Sequence, residues 1–293
     1  MHSTANPNAQ PPISSASRPC HDNALRFSSA ARRAGKLALA TLAGALLVAC
    51  ASGPRDTISL IPAEQIAQES AKDGVFTQPL KWTHIKPGCQ GECPQIEVDS
   101  LVFPGIPILT ELVDHALATM TGTSPGSPHP YDTIAQYEDY FWKTAAPRDS
   151  TVFSAKTRYR TKHLTVIELG TWQYFTGMAH GINATQFLNW NNQTQKVLGL
   201  ADILQPGQES AYIAALRQAH TRWLATNQDA QNDPATYNRT WPFQPSENFG
   251  FTDGGLVVKY QSYEIAPYSH GQPELLIPYS QLTSVLKPEF LPS

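Results

Sequence analysis

The sequence predicts an α+β fold in which antiparallel sheets pack against a few helices, arranged as two small lobes. Three observations carry that reading. Short runs rich in Val, Ile, Thr and aromatic residues recur between Pro, Gly and Asn breaks, as strands do. Few stretches show the 3.6-residue apolar repeat of an amphipathic helix. The 24 prolines among 293 residues favour bounded strands and loops over long helices.

The chain up to residue 75 reads as an address rather than as part of the fold. Residues 1–31 are rich in Ser, Pro, Asn and Ala without periodicity and are expected to be a disordered lead. Arg32, Arg33 and Lys36 precede an apolar run, Leu37 to Val48, that is too short to span a bilayer comfortably. Residues 1–49 therefore read as a signal peptide. Leu47-Val48-Ala49-Cys50 is similar to a lipobox, which makes Cys50 the lipidation point of a mature lipoprotein, an ordinary signal peptide cut nearby being the alternative. Ala51 stands where Asp would hold a lipoprotein at the inner membrane, so the outer membrane, facing the periplasm, is the expected location. Residues 50–75 then form a tether.

The first lobe, residues 76–195, opens with strands at Gln78 to Ile85 and Gln95 to Phe103. Between them lie Cys89 and Cys93, the cysteines left once Cys20 departs with the leader and Cys50 is lipidated. In an oxidising compartment they form a disulfide; two more soft ligands, which a metal site requires, are not nearby. Ile106 to Met120 carries a helical stripe of Ile108, Leu109, Leu112, Val113, Leu117 and Met120, and Tyr131 to Lys143 a second with Ile134, Tyr137 and Phe141 inward. Thr151 to Tyr159, His163 to Tyr174 and Asn183 to Trp190 alternate as strands. The second lobe, residues 196–293, begins with a helix from about Glu209 to Trp223. A polar surface loop is expected over Asn227 to Phe243. Strands at Phe249 to Thr252 and Leu256 to Tyr260 flank an Asp253-Gly254-Gly255 turn, Glu274 to Pro278 adds a strand, and Tyr279 to Lys287 a closing helix.

Two blocks carry a family resemblance. FTDGGLVV, YEIAPYSHG and ELLIPYSQL, in that order, resemble the C-terminal domain of the RsiV-like family, extracytoplasmic proteins whose best known member senses and binds lysozyme. Trp172 to Gly181, WQYFTGMAHG, is similar to that family's aromatic-Thr-Gly-Gly-Ala-His-Gly signature, with Met178 where the second Gly is usual. The first lobe resembles the accessory domain that precedes some peptidoglycan deacetylases of the PdaC type. The resemblance implies a binding role for two loops. Thr176, Gly177, His180 and Gly181 in one, and Pro267, Tyr268, Ser269, His270 and Gly271 in the other, become partner-contacting residues, with a lysozyme-type muramidase as the partner.

Catalysis finds little support. The sequence holds no G-x-S-x-G elbow, no H-E-x-x-H and no phosphate-cradling glycine loop, and the histidines are scattered singly. Asp253 and Glu264 lie near the loop that carries Tyr268 and could be read as a glycosidase pair, but a turn and a strand edge already account for them. No catalytic residue, metal ligand or cofactor is assigned, and the chain is expected to be a monomer. Loss of residues 1–49 removes Arg18, Arg26, Arg32, Arg33, Lys36 and Asp22, leaving 16 basic against 23 acidic residues, a net charge of −7. That balance argues against nucleic acid and suits a basic protein partner. The second reading is a module that binds peptidoglycan directly through Trp172, Trp190 and Trp241, and the third a structural envelope lipoprotein.

Overall fold

A disulfide-closed hairpin opens the described chain. In this computed structural model the described residues are 75–121 and 131–292, together with Glu64, Ile66 and Gln68. The expected leader, Cys50, most of the tether and the break at residues 122–130 lie outside them. The described residues belong to one compact unit. Strands β1 (Gln78–Ile85) and β2 (Gln95–Val102) pair antiparallel, with Gln78 opposite Val102. Cys89 and Cys93 join in the turn between them, their Cα atoms 5.8 Å apart.

Helices α1 (Pro107–Thr119) and α2 (Ile134–Thr144) then carry the chain across to β3 (Ser150–Arg160), which lies parallel to β2. Parallel neighbours need such a crossover, so this sheet is mixed where antiparallel pairing was expected. Pro107 suits the first helical turn, whose amide has no partner anyway. Thr133 caps α2 by accepting from the Gln136 amide. The predicted stripe of α1 buries Leu109, Val113 and Leu117 but leaves Ile108 51% exposed. Strands β4 (Leu164–Tyr174), β5 (Ile182–Asn191) and β6 (Lys196–Val197) complete a six-stranded sheet in chain order.

The chain then moves to the opposite face of that sheet. A short α3 (Leu200–Ile203) leads to α4 (Glu209–Leu224), and β7 (Phe249–Thr252), β8 (Gly255–Lys259) and β9 (Glu274–Pro278) form an antiparallel three-stranded sheet. Two segments depart from the sequence reading. The expected surface loop after Asn227 holds α5 (Gln228–Asn232) and α6 (Pro234–Thr240). They are made by their caps, Asn227 and Asp233, which accept from the amides of the following turn, rather than by an apolar stripe. The expected closing helix at Tyr279 to Lys287 is only a single 3₁₀ turn, Tyr279–Gln281. Its backbone bonds sideways instead: Gln205 N–H donates to Val285 O, and Lys287 N–H to Ile203 O.

β4 and β5 sit between two apolar cores. Ile167, Leu169, Leu188 and Trp190 face α1 and α2, whereas Leu164, Val166 and Phe187 face the small sheet. The sheets approach closely at Gly250, since a Cβ there would lie 2.9 Å from the Phe187 ring and 3.1 Å from Val166. Residues alternating with Gly250, such as Phe249 and Phe251, point away to the side covered by Tyr212, Leu216 and Ala219 of α4. Four charges clasp the two sheets together. Glu168 on β4 pairs with Lys259 on β8 and, at 3.1 Å, with Arg158 on β3; Glu274 on β9 pairs with Arg158 at 2.7 Å and Lys259 at 3.3 Å.

The outer edge of β5 is closed by two side-chain amides. Gln261 accepts from Thr185 N–H (2.9 Å) and donates to Thr185 O (2.6 Å), while Asn248 accepts from Phe187 N–H (2.7 Å). These amides stand where the backbone of a next strand would run.

Candidate functional site

Two loops meet at one end of this layered body. The β4–β5 loop carries Thr176 to Gly181, and the β8–β9 loop carries Tyr260 to Pro273. His180 stacks on Tyr268, with ring centroids 4.0 Å apart and planes 24° apart. The Tyr268 hydroxyl donates to Gly181 O at 3.0 Å and receives Asn183 Nδ2 at 3.4 Å. His180 Nδ1 lies 2.9 Å from the same carbonyl. A carbonyl oxygen only accepts, which assigns the neutral ring's proton to Nδ1 and leaves Nε2 to accept from the Tyr263 hydroxyl, 3.1 Å away.

Tyr263 is the unusual member of this group. It is 51% exposed, yet its backbone sits at φ 72°, a region that a bulky residue occupies only under strain. Its ring lies 5.7 Å from that of Tyr268 and 6.2 Å from that of Trp241, so Trp241, Tyr263, His180 and Tyr268 form one aromatic ridge. Nothing in the loop's composition marks Tyr263 as left-handed, because no glycine or asparagine stands there; its position beside Glu264 in an aromatic, Pro-broken loop was the available signal.

The remaining predicted residues are placed differently. Thr176 is exposed but tied down at the loop's start, its amide donating to Asp149 Oδ1 at 2.6 Å and its hydroxyl to Pro147 O. Gly177 follows at φ 98°, a conformation that glycine adopts freely. Pro267 precedes the 3₁₀ turn Tyr268–His270, which Gly271 closes at φ 65° by donating to Tyr268 O. Ser269 is exposed, and its hydroxyl lies 3.4 Å from His270 Nδ1. His270 faces Asp229 (3.7 Å) and the edge of Trp223 rather than the ridge. The structure thus gathers His180, Gly181 and Tyr268, and adds Tyr263, Trp241 and Asn183. Beneath the loop, burial pushes the Tyr260 phenol far above its ordinary pKa, and its hydroxyl donates to Gln244 O at 2.7 Å.

Trp190, grouped above with Trp172 and Trp241 as a glycan contact, is only 1% exposed and belongs to the core on the α1 side, so it touches no ligand. Asn183 borders two depressions, one of about 180 Å3 on the sheet face and one of about 730 Å3 along the β5 edge. Among the described residues, no three His, Cys, Asp or Glu side chains are grouped to hold a metal ion, and no helix is long and apolar enough to cross a membrane.

Residues 201–280 match the family described as "Protein of unknown function (DUF3298)". The crystal structure of a DUF3298 family protein from Pseudomonas aeruginosa PAO1 is 39% identical, with a TM-score of 0.68 over 75% of this chain and 97% of that one. The chain belongs to the DUF3298 family. A DUF3298 member from Bacteroides fragilis NCTC 9343 shares the fold at 21% identity, with a TM-score of 0.57 over 73% of this chain and 94% of its own. No curated protein matches. The DUF3298 match takes in α4, the whole small sheet and the loop holding Tyr263 and Tyr268, whereas His180, Gly181 and Asn183 precede it. The ridge is therefore assembled from both sides of that boundary.

Proposed function

We propose that this DUF3298 protein is an envelope lipoprotein, anchored through Cys50 at the outer membrane and facing the periplasm, that binds a protein partner through the Trp241–Tyr263–His180–Tyr268 ridge. The partner is a lysozyme-type muramidase, and the mode is blockage of its cleft, as inhibitor or sensor. One observation carries the reading: an exposed tyrosine held in a strained backbone conformation and braced by an imidazole. Such strain persists where the surroundings over-determine it, and it clusters at recognition sites. Tyrosine and tryptophan are also the side chains that most often anchor protein interfaces. The RsiV-like motifs and the −7 charge of the chain beyond residue 49 point to a basic muramidase rather than to an acidic partner. No residue is assigned to catalysis and no cofactor is invoked.

The test is turnover of a cell-wall suspension by a c-type lysozyme, with and without residues 51–293. Inhibition that is lost in Tyr263→Ala and Tyr268→Ala, at an unchanged melting midpoint, supports the reading. Undiminished turnover at saturating protein sinks it.

A further inference from the structure

We propose that the trough left uncovered on the small-sheet side of the six-stranded sheet, which meets the ridge at Asn183, binds a saccharide unit that carries a carboxylate. The register of β3, β4 and β5 builds it. Ser154, Gly170 and Thr185 stand in one cross-strand row and are all small, so they form a floor. Two residues along each strand in one direction, Val152, Trp172 and Asn183 form a taller row; two residues in the other direction stand Lys156 and Glu168. All these positions share one face, because side chains two apart on a strand point the same way. The wall rows are about 13 Å apart along the strands. Gln272, from the loop before β9, also lines the depression, whose volume is about 180 Å3.

Gly170 is the telling residue. A glycine inside a central strand weakens it, and it often marks a place where a ligand comes close to the backbone. Any Cβ at this position would rise beside Ser154 Oγ, 2.7 Å away, and begin to fill the floor. The volume lies below the range of about 300–1,000 Å3 typical of drug-sized ligands, so it suits a single ring.

The lining selects the class of ring. Trp172, its indole edge against Gly181, offers an apolar face of the kind on which the C–H side of a pyranose rests. Ser154, Asn183 and Gln272 each donate one hydrogen bond within the protein, to Gly170 O, the Tyr268 hydroxyl and Gln261 Oε1, and keep the Ser154 hydroxyl oxygen, both amide oxygens and a second N–H on each amide for sugar hydroxyls. On the opposite wall Glu168 is already engaged by Arg158 and Lys259. Lys156 is exposed and belongs to no ion pair among the described residues, so the uncommitted charge at that end is positive. A single cation suits a carboxylate; a phosphate chain would call for several donors.

The experiment is calorimetric titration of the full chain with three disaccharides. N-acetylglucosaminyl-N-acetylmuramic acid carries a lactyl carboxylate, digalacturonate carries ring carboxylates, and chitobiose carries none. Saturable binding of either acidic sugar, about fivefold or more tighter than that of chitobiose, is expected, and K156Q should erase the difference. G170V, which fills the floor, should weaken every sugar by about tenfold or more at an unchanged melting midpoint. Preference for the muramyl disaccharide assigns the trough to wall glycan, and preference for digalacturonate to an acidic polysaccharide; both uphold it. Absence of saturation by all three up to about 20 mM overturns the proposal. So does affinity unchanged by K156Q, which is a surface substitution that leaves the fold intact. Tyr263→Ala should leave sugar binding alone, which keeps this test separate from that of the ridge.

Discussion

Glu168 on the six-stranded sheet and Lys259 on the three-stranded sheet form an ion pair across the junction of the two sheets, with side chains only 19% and 12% exposed. Glu274 and Arg158 complete the cycle, so each charge in it has two partners. Removing Lys259 leaves two partly buried carboxylates, Glu168 and Glu274, to share Arg158 alone. Lys259→Met should lower stability by about 1–3 kcal/mol, and the Lys259/Glu168 double-mutant cycle should show a coupling of about 1 kcal/mol. The coupling should survive 0.5 M salt (~0.5 M, where exposed pairs are heavily screened) better than that of Lys81 with Asp99, whose side chains are 66% and 42% exposed. Chemical denaturation at ~0.1 M and at ~0.5 M salt measures this.

Replacing Tyr263 separates strain from recognition. Tyr263→Gly removes the ring and the left-handed penalty together, so the melting midpoint should hold or rise, by up to about 1 kcal/mol in stability. Tyr263→Ala keeps the backbone constraint and should be the less stable of the two. Both should lose the muramidase. A stable Gly variant that still inhibits would remove Tyr263 from the interface.

At the β7–β8 turn, Gly255 has φ 150°, and a Cβ there would sit 2.0 Å from the Ile277 carbonyl oxygen on β9. The obstacle is backbone and cannot swing aside. Gly255→Ala should therefore cost more than about 2 kcal/mol, read as a fall in melting midpoint of about 4–8 °C for a chain of this size. Gly254→Ala, whose Cβ would meet nothing nearer than Leu276 at 3.9 Å, is the control and should be far milder.

His220 on α4 confers a pH dependence. It is 4% exposed, packed near Trp223 and Phe243, and its Nε2 has no hydrogen-bond partner. Burial, helped by the nearby Arg217 cation, holds its pKa below the ordinary value of 6.5. The folded chain thus keeps His220 neutral in a range where the unfolded chain takes up a proton. The contribution of His220 to stability is present above pH 6.5 and is lost as the pH drops from there toward the folded-state pKa. His220→Phe should flatten that part of the profile, as followed by melting midpoints between about pH 5 and pH 7.

Asn227 tests how α5 and α6 are held. Its Oδ1 accepts from the amides of Asp229 and Ala230, and its Nδ2 donates to the Tyr237 hydroxyl at 2.9 Å. Asn227→Ala removes all three and should cost about 2 kcal/mol in denaturant unfolding.

The strands were legible because their alternation is local: β1 begins and ends at the expected residues, and β2 through β5 depart by one or two. The helices α1 and α4 were equally readable from their stripes. What failed had no periodic signature. The caps Asn227 and Asp233 lie in polar sequence that also reads as loop, and the segment after Tyr279 carries apolar residues whose backbone partners, Ile203 and Gln205, are some 80 positions earlier. At the site, the two loops could be named from their motifs, but their meeting could not. Neither the stacking of His180 on Tyr268 nor the left-handed turn at Tyr263 follows from neighbours in the chain. Trp190 was misjudged because alternation tells which residues share a face, and not which face is covered by helices.

The amides of Gln261 and Asn248 have one more effect. By occupying the rim of β5, they deny that side of the sheet to any incoming backbone, so fibril-like growth from there is blocked even where the protein is crowded. A chain in which both became apolar would keep its core and yet gain a sticky seam, and slow gelling on storage would be the first sign of it.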